Sequence, residues 1–163
     1  MSMLWGLPGI NFGHSFPHDL MHLIFLNACP NLVAWWTGTF KNIDTTGDQF
    51  RISIGNWKWI GQRIVKSMEL IPVSFIHQLP DISTLGHTYL AEGWSFWLLH
   101  IAPYALDGIL LVEYYNHLMD LTVITQQAMS YDLTEEEVLT TFQDKCTNWV
   151  IDYEQLYYQY KEE

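Results

Sequence analysis

Four residues carry the chemistry open to this sequence. His18, Asp19 and His22 lie in the stretch S-F-P-H-D-L-M-H-L-I-F-L-N-A-C (15–29), and Glu92 lies in Y-L-A-E-G-W-S-F-W. On a helix, His18 and His22 are four residues apart and Asp19 and His22 three apart, so all three share one face. Two imidazoles and a carboxylate so placed can bind a divalent metal or move a proton. The same spacing has a plainer use: an Asp in a first turn complements the helix dipole, and a nearby His hydrogen-bonds to it. Glu92 is expected on a helix that is apolar nearly all round. Leu90, Trp94, Trp97 and Ile101 form one stripe, with Phe96, Leu99 and Pro103 near the glutamate's own side. A buried carboxylate is costly unless it is paired or holds a cation. Glu92 is therefore either a site residue or the partner of Arg63, Lys66 or a histidine, and Gly93 beside it would let backbone or ligand approach closely.

The histidine spacing is similar to the H-E-x-x-H arrangement of zinc proteases, with Asp in the place of Glu. Asp is one methylene shorter, which weakens its reach to a metal-bound water, and a third ligand would have to come from elsewhere. Glu92 is the attractive candidate, so a zinc hydrolase using His18 and His22 stands as one alternative. His14, His77, His87, His100 and His117 show no ligand spacing and are expected to be hydrogen-bonded or partly exposed. Tyr153, Tyr157, Tyr158 and Tyr160 could stack bases. Their acidic surroundings favour helix packing instead. No phosphate loop, nucleophile elbow or Cys–His pairing is present.

These residues must be positioned by helices. Residues 1–14, rich in Gly and Pro, read as an extended lead-in that continues a preceding segment. Ser15 and Pro17 then open a helix, apolar from Leu20 to Trp36, which Pro30 should kink or split. Lys41 to Gln49 is a polar loop, and Phe50 to Ile54 a short extended piece. A helix is expected from about Asn56 to Leu70, with Trp57, Ile60, Ile64, Met68 and Ile71 as its apolar stripe and Lys58, Arg63 and Lys66 away from it. Val73 to Leu79 is expected to form one short helix closed by Pro80, followed by a loop from Asp81 to Gly86. Two more helices run from about Thr88 to Ala105, broken or kinked at Pro103, and from about Asp107 to Met129, with Leu111, Tyr114, Leu118 and Leu121 on one face. The last opens with a capping box, Thr134 with Glu137. Its stripe is Val138, Phe142, Cys146, Trp149, Tyr153, Tyr157 and Tyr160. The class is mainly α, a helical bundle in a single domain or fragment: lead-in 1–14, helical body 15–130, acidic C-terminal helix 131–163.

Composition narrows the function. With 49% apolar and 15% aromatic residues the chain is not disordered, and 163 residues suffice for a real core. The net charge of −11 is uneven. Nine acids against Lys145 and Lys161 fill residues 132–163, whereas five basic residues between Lys41 and Lys66 face only Asp44 and Asp48. An acidic chain is a poor stand-alone binder of nucleic acid, because neutralising phosphates takes clustered Lys and Arg. Cys29 and Cys146 sit in apolar helical runs and read as reduced core thiols of an intracellular protein. No signal peptide is visible. The nearest approach to a membrane span, Trp94 to Val112, contains His100, Pro103, Asp107 and Gly108 and reads as a buried helix pair.

Six blocks, in order, carry a resemblance over nearly the whole chain: L-P-G-I-N-F, S-F-P-H-D-L-M-H-L, P-N-L-V-A-W-W-T-G, Y-L-A-E-G-W-S-F-W, Y-Y-N-H and Y-E-Q-L-Y-Y-Q-Y. Together they resemble the fungal transposases related to CACTA (En/Spm) elements. The resemblance implies a DDE-type transposase with an RNase H-like core, in which three acids hold two divalent metals, Mg²⁺ or Mn²⁺. One metal activates the attacking oxygen and the other stabilises the leaving oxygen. By position, D-L-M-H matches the family's D-x-x-H signature, which makes Asp19 and His22 signature residues. The A-E-x-W block makes Glu92 the third catalytic acid and a metal ligand. The helices between Asn31 and Gly86 would be an insertion, and the chain the insertion and final-helix portion of the core. Leu90 stands where the family usually has Thr. The first two catalytic aspartates have no counterpart here, so the chain is expected to be a fragment, inactive alone. DNA (the transposon ends), the remainder of the core and a nuclear location are implied with it, and self-association is left open. A non-enzymatic interaction module, such as a domesticated transposon remnant, is the other alternative. In the transposase reading, Asp19 and His22 are expected to lie near Glu92 in space.

Overall fold

The computed structural model describes residues 19–41, 43–130, 134 and 138–158. The lead-in, the Ser15–His18 opening, Glu137 of the expected capping box and Tyr160 lie outside them. The described chain is mainly helical and contains no strand. Helix α1 is wound as a π-helix over Met21–Ala28 and runs directly into an α-helix over Cys29–Thr37. Helix α2 is Ile54–Met68, and α3 is the single turn Ile82–Leu85 with a 3₁₀ turn at Gly86–Thr88. Helix α4 joins Ala91–Phe96, a π segment at Trp97–Ile101 and Ala102–Ala105. Helix α5 is Val112–Ala128, and α6 joins a π segment, Val138–Phe142, to Gln143–Tyr157.

The two prolines expected to kink or break their helices mark changes of winding without ending them. The Cys29 N–H bonds back five residues to Ile24 O, and the Ala102 N–H five residues to Trp97 O. Each junction lies one residue before a proline, Pro30 or Pro103, at the start of the next α segment. A proline inside an α-helix lacks an N–H and clashes with the carbonyl four residues back. Widening the preceding turn to the i→i−5 pattern moves those carbonyls to other partners. The helices therefore continue through both prolines.

Two expectations between α2 and α4 are corrected. Val73 to Leu79 is not a helix: a turn closed by Phe75 N–H to Pro72 O (3.0 Å) is followed by irregular chain. Seven residues between two prolines leave too few intrahelical bonds to offset nucleation. The expected loop from Asp81 instead holds α3, because the Asp81 carboxylate accepts the Ser83 N–H at 2.8 Å and caps that turn. The later helices start further on than their apolar runs suggest. Helix α4 begins after an exposed, extended Leu90. Helix α5 begins after Gly108, whose φ of +68° no helical residue adopts.

The core is one cluster drawn from every helix. Trp35, Trp36, Trp97, Leu98, Leu106 and Leu118 are fully buried in it, and Tyr157 brings in α6. The π segment of α1 packs on the first segment of α4, α2 on α3, and α5 on α6. The stripe expected on α2 is the buried one from Trp57 to Met68, with Lys58, Arg63 and Lys66 in solvent. At the end of α1, Gly38 takes a left-handed φ of +71° and its N–H caps Ala34 O and Trp35 O. A Cβ there would fall on the Arg51 guanidinium, which donates to Thr45 Oγ1 at 2.7 Å.

Candidate functional site

Asp19 and His22 form the local pair that their spacing allows. The Asp19 carboxylate accepts the Met21 N–H at 2.8 Å through Oδ1 and pairs with His22 Nδ1 at 2.7 Å through Oδ2. An ionised carboxylate only accepts, so the imidazole proton sits on Nδ1 and Nε2 is left as the open nitrogen. Both side chains are more than half exposed. The hydrogen bond from His22 and then the Met21 N–H hold the Asp19 carboxyl below its ordinary value. His22→Ala is expected to raise the Asp19 titration midpoint toward the usual carboxylate range while leaving the Met21 contribution in place. Carboxyl ¹³C shifts followed through an acid titration test this, and an unmoved midpoint would remove His22 as the cause. The pair thus performs the helix-start role, and His18 lies outside the described residues.

Glu92 is not buried, which corrects the expectation of a carboxylate enclosed on all sides. The buried arc of α4 is Gly93, Trp94, Trp97 and Leu98, and Glu92 sits at the solvent edge of its first turn, next to the helix's positive end. Leu90, expected in the stripe, is 76% exposed. No ion pair with Arg63 or Lys66 forms; the ion pair among the described residues is that of Asp19 with His22. Gly93 does admit a close neighbour, but that neighbour is protein: a Cβ there would lie 3.0 Å from Leu79 Cδ2 and 3.6 Å from Tyr89.

The fold does bring the two motif-bearing segments together. The π segment of α1, which carries His22, packs against Ala91–Phe96, which carries Glu92, across about seventy residues of sequence. Among the described residues, however, no three His, Cys, Asp or Glu side chains converge as a metal site. The remaining acids of any two-metal centre would have to be added to what these residues provide.

The tyrosines of α6 are packing residues, as their acidic setting suggested. Trp35 Nε1 donates to Tyr153 Oη at 2.8 Å and Trp36 Nε1 to Tyr157 Oη at 3.0 Å. Tyr158 packs edge-on to Trp35 and Phe40. Burial pushes the Tyr153 phenol up to about 12 and the Tyr157 phenol higher still, so both keep their protons. Cys29 is buried and Cys146 half-buried, and desolvation raises both thiols away from thiolate reactivity.

Sequence reasoning passed over one group. Trp59, Arg63 and Ser67 are spaced by four on α2, and Phe96, His100 and Tyr104 by four on α4. Apart from Phe96, these residues line a common cleft with Ile60, Ile64, Ile71, Ile101 and Ala105. The i, i+4 rows were the available signal, hidden because they lie beside the apolar stripes. No helix among the described residues is long and apolar enough to cross a membrane.

Comparison of the chain with protein-family models, with curated proteins and with solved structures returns no match.

Proposed function

We propose that the chain is the helical portion of a DDE-type DNA transposase related to CACTA elements, acting in the nucleus on transposon ends and catalytically silent alone. One observation carries the reading: the helix segment Met21–Ala28, which carries His22 of the D-x-x-H motif, packs on Ala91–Phe96, which carries Glu92, despite their separation in sequence. In this reading Glu92 is the third metal-binding acid, with Asp19 and His22 as its signature neighbours. Its exposure suits a ligand that is completed by other acids on an RNase H-like sheet, because a lone carboxylate kept in water avoids the cost of burial. Mg²⁺ or Mn²⁺ would supply the charge that activates the attacking oxygen and stabilises the leaving oxygen.

The expected result is weak Mn²⁺ binding, with paramagnetic broadening of amide signals centred on Glu92 and the start of α1, lost in Glu92→Gln, and no cleavage or joining of DNA by the chain alone. Broadening confined to the acids of α6 and unchanged in Glu92→Gln would reject the site. DNA strand transfer by the isolated chain that Glu92→Gln abolishes would reject the silent fragment.

A second reading, a non-enzymatic interaction module, is favoured by the apolar side chains left in water after α2. Leu70 is 86%, Val73 67% and Phe75 75% exposed within six residues. A clean monomer on size exclusion argues against a large orphaned surface there.

A further inference from the structure

We propose that the cleft between α2 and α4 binds a small aromatic anion, a single planar ring carrying a phosphate or carboxylate group. The charge argument comes from α2. Its fifteen residues include Lys58, Arg63 and Lys66 and no acid, in a chain of net charge −11. In so acidic a protein, a guanidinium at a cleft would be expected to pair with a carboxylate of its own chain, yet Arg63 has none among the described residues. It is instead laid over the Trp59 ring, with its carbon 4.5 Å from the ring centroid. That contact holds the guanidinium beside the Trp59 ring, and no acceptor among the described residues takes its N–H donors, which can meet an oxyanion with two parallel hydrogen bonds.

The opposite wall supplies the other half. His100 sits against the Phe96 ring, 5.0 Å between centroids, is exposed, and lines the same cleft. Tyr104 is 84% exposed beside it, an aromatic face with nothing of its own chain covering it. Between the walls the floor is Ile60, Ile64, Ile71, Ile101 and Ala105. A cation and a ring N–H donor at an apolar floor select a ligand with two unlike ends. A bare oxyanion would leave the floor wet, and a neutral ring would leave Arg63 unanswered. The volume of about 200 Å³ suits one ring and its head group rather than a larger ligand.

The test uses the full chain, ¹⁵N-labelled, titrated at millimolar concentrations with phenyl phosphate, benzoate, benzyl alcohol and inorganic phosphate. The expected result is saturable shifts of the Trp59 indole and of Tyr104 and Ile101 amides with phenyl phosphate or benzoate. Whichever of the two binds more tightly names the head group. Benzyl alcohol and inorganic phosphate should bind at least about tenfold more weakly, as should phenyl phosphate to Arg63→Gln. Arg63 is exposed, so this variant keeps the fold, and an unchanged spectrum away from the cleft confirms it. The proposal is overturned if neither aromatic anion moves these signals, if inorganic phosphate binds as well as phenyl phosphate, or if Arg63→Gln binds as tightly as the parent chain.

Discussion

Trp36→Ala is expected to lower the stability of the protein by about 3–5 kcal/mol. Trp36 is fully buried at the end of α1, packed against Trp97 of α4 at 6.4 Å between ring centroids. Its indole N–H donates to the buried Tyr157 hydroxyl of α6. Removing the ring opens a cavity where three helices meet, and the surroundings are themselves large rings that relax poorly into it. The adjacent Trp35 repeats the arrangement toward Tyr153, one turn earlier on α6, so the two tryptophans clamp α6 by paired hydrogen bonds. Tyr157→Phe separates packing from hydrogen bonding. It keeps the ring and leaves the Trp36 N–H without its acceptor, at an expected cost of about 1–3 kcal/mol. Urea unfolding followed by far-ultraviolet circular dichroism reads both variants. A Trp36→Ala midpoint close to that of the parent chain would mean that α6 is held elsewhere.

The clamp also shows what the sequence could and could not convey. The stripe on α6 was legible because Phe142, Cys146, Trp149, Tyr153 and Tyr157 keep helical spacing, and the observed helix packs its Trp149, Tyr153 and Tyr157 part against the core. Its partners were not legible, since pairing Trp36 with Tyr157 spans 121 residues and no local period encodes it. The same division runs through the candidate site. The Asp19–His22 pair is local, and its spacing predicted the hydrogen bond that forms. The exposure of Glu92 depended on which side of α4 the rest of the chain covered. On a helix with apolar residues on nearly every side, periodicity does not choose between those sides. The winding at Pro30 and Pro103 was half legible: proline marks the place, but whether a helix stops or widens depends on the packing around it.

Acid is expected to loosen the α5–α6 contact through His117 before it reaches the carboxylates. His117 is 3% exposed and stacks on Trp149 at 4.6 Å and 12°. Its Nε2 lies 3.1 Å from the Trp149 carbonyl, and the Trp149 indole N–H donates back to the His117 carbonyl at 3.0 Å. A carbonyl only accepts, so the proton of the neutral ring is on Nε2. Nδ1 is then buried with no partner, and a second proton there would point at nothing able to accept it. Burial accordingly holds the imidazole below its ordinary value of 6.5, against the opposing pull of the Trp149 carbonyl and of Asp152 and Asp120. With the folded value below the unfolded one, the unfolded chain binds more protons in acid. The stabilising contribution is therefore complete above the unfolded value and is lost as pH falls through the folded one, at no more than about 1.4 kcal/mol per pH unit. Asp19, whose carboxyl is also lowered, loses its pairing only further down, below the ordinary carboxylate value of 3.8. The His117 loss therefore begins first, as pH drops below 6.5. His117→Phe keeps an aromatic ring on Trp149 and the Trp149 indole bond to the backbone carbonyl of residue 117, gives up the Nε2–H bond to the Trp149 carbonyl, and removes the titration. Its urea midpoint should fall less than that of the parent chain between about pH 7.5 and about pH 5. Amide exchange in the parent chain should rise first along α6, the helix that this contact holds to α5. Parallel pH profiles for the two proteins would show that His117 does not titrate with unfolding, and the acid sensitivity of α6 would then have to arise from its own carboxylates.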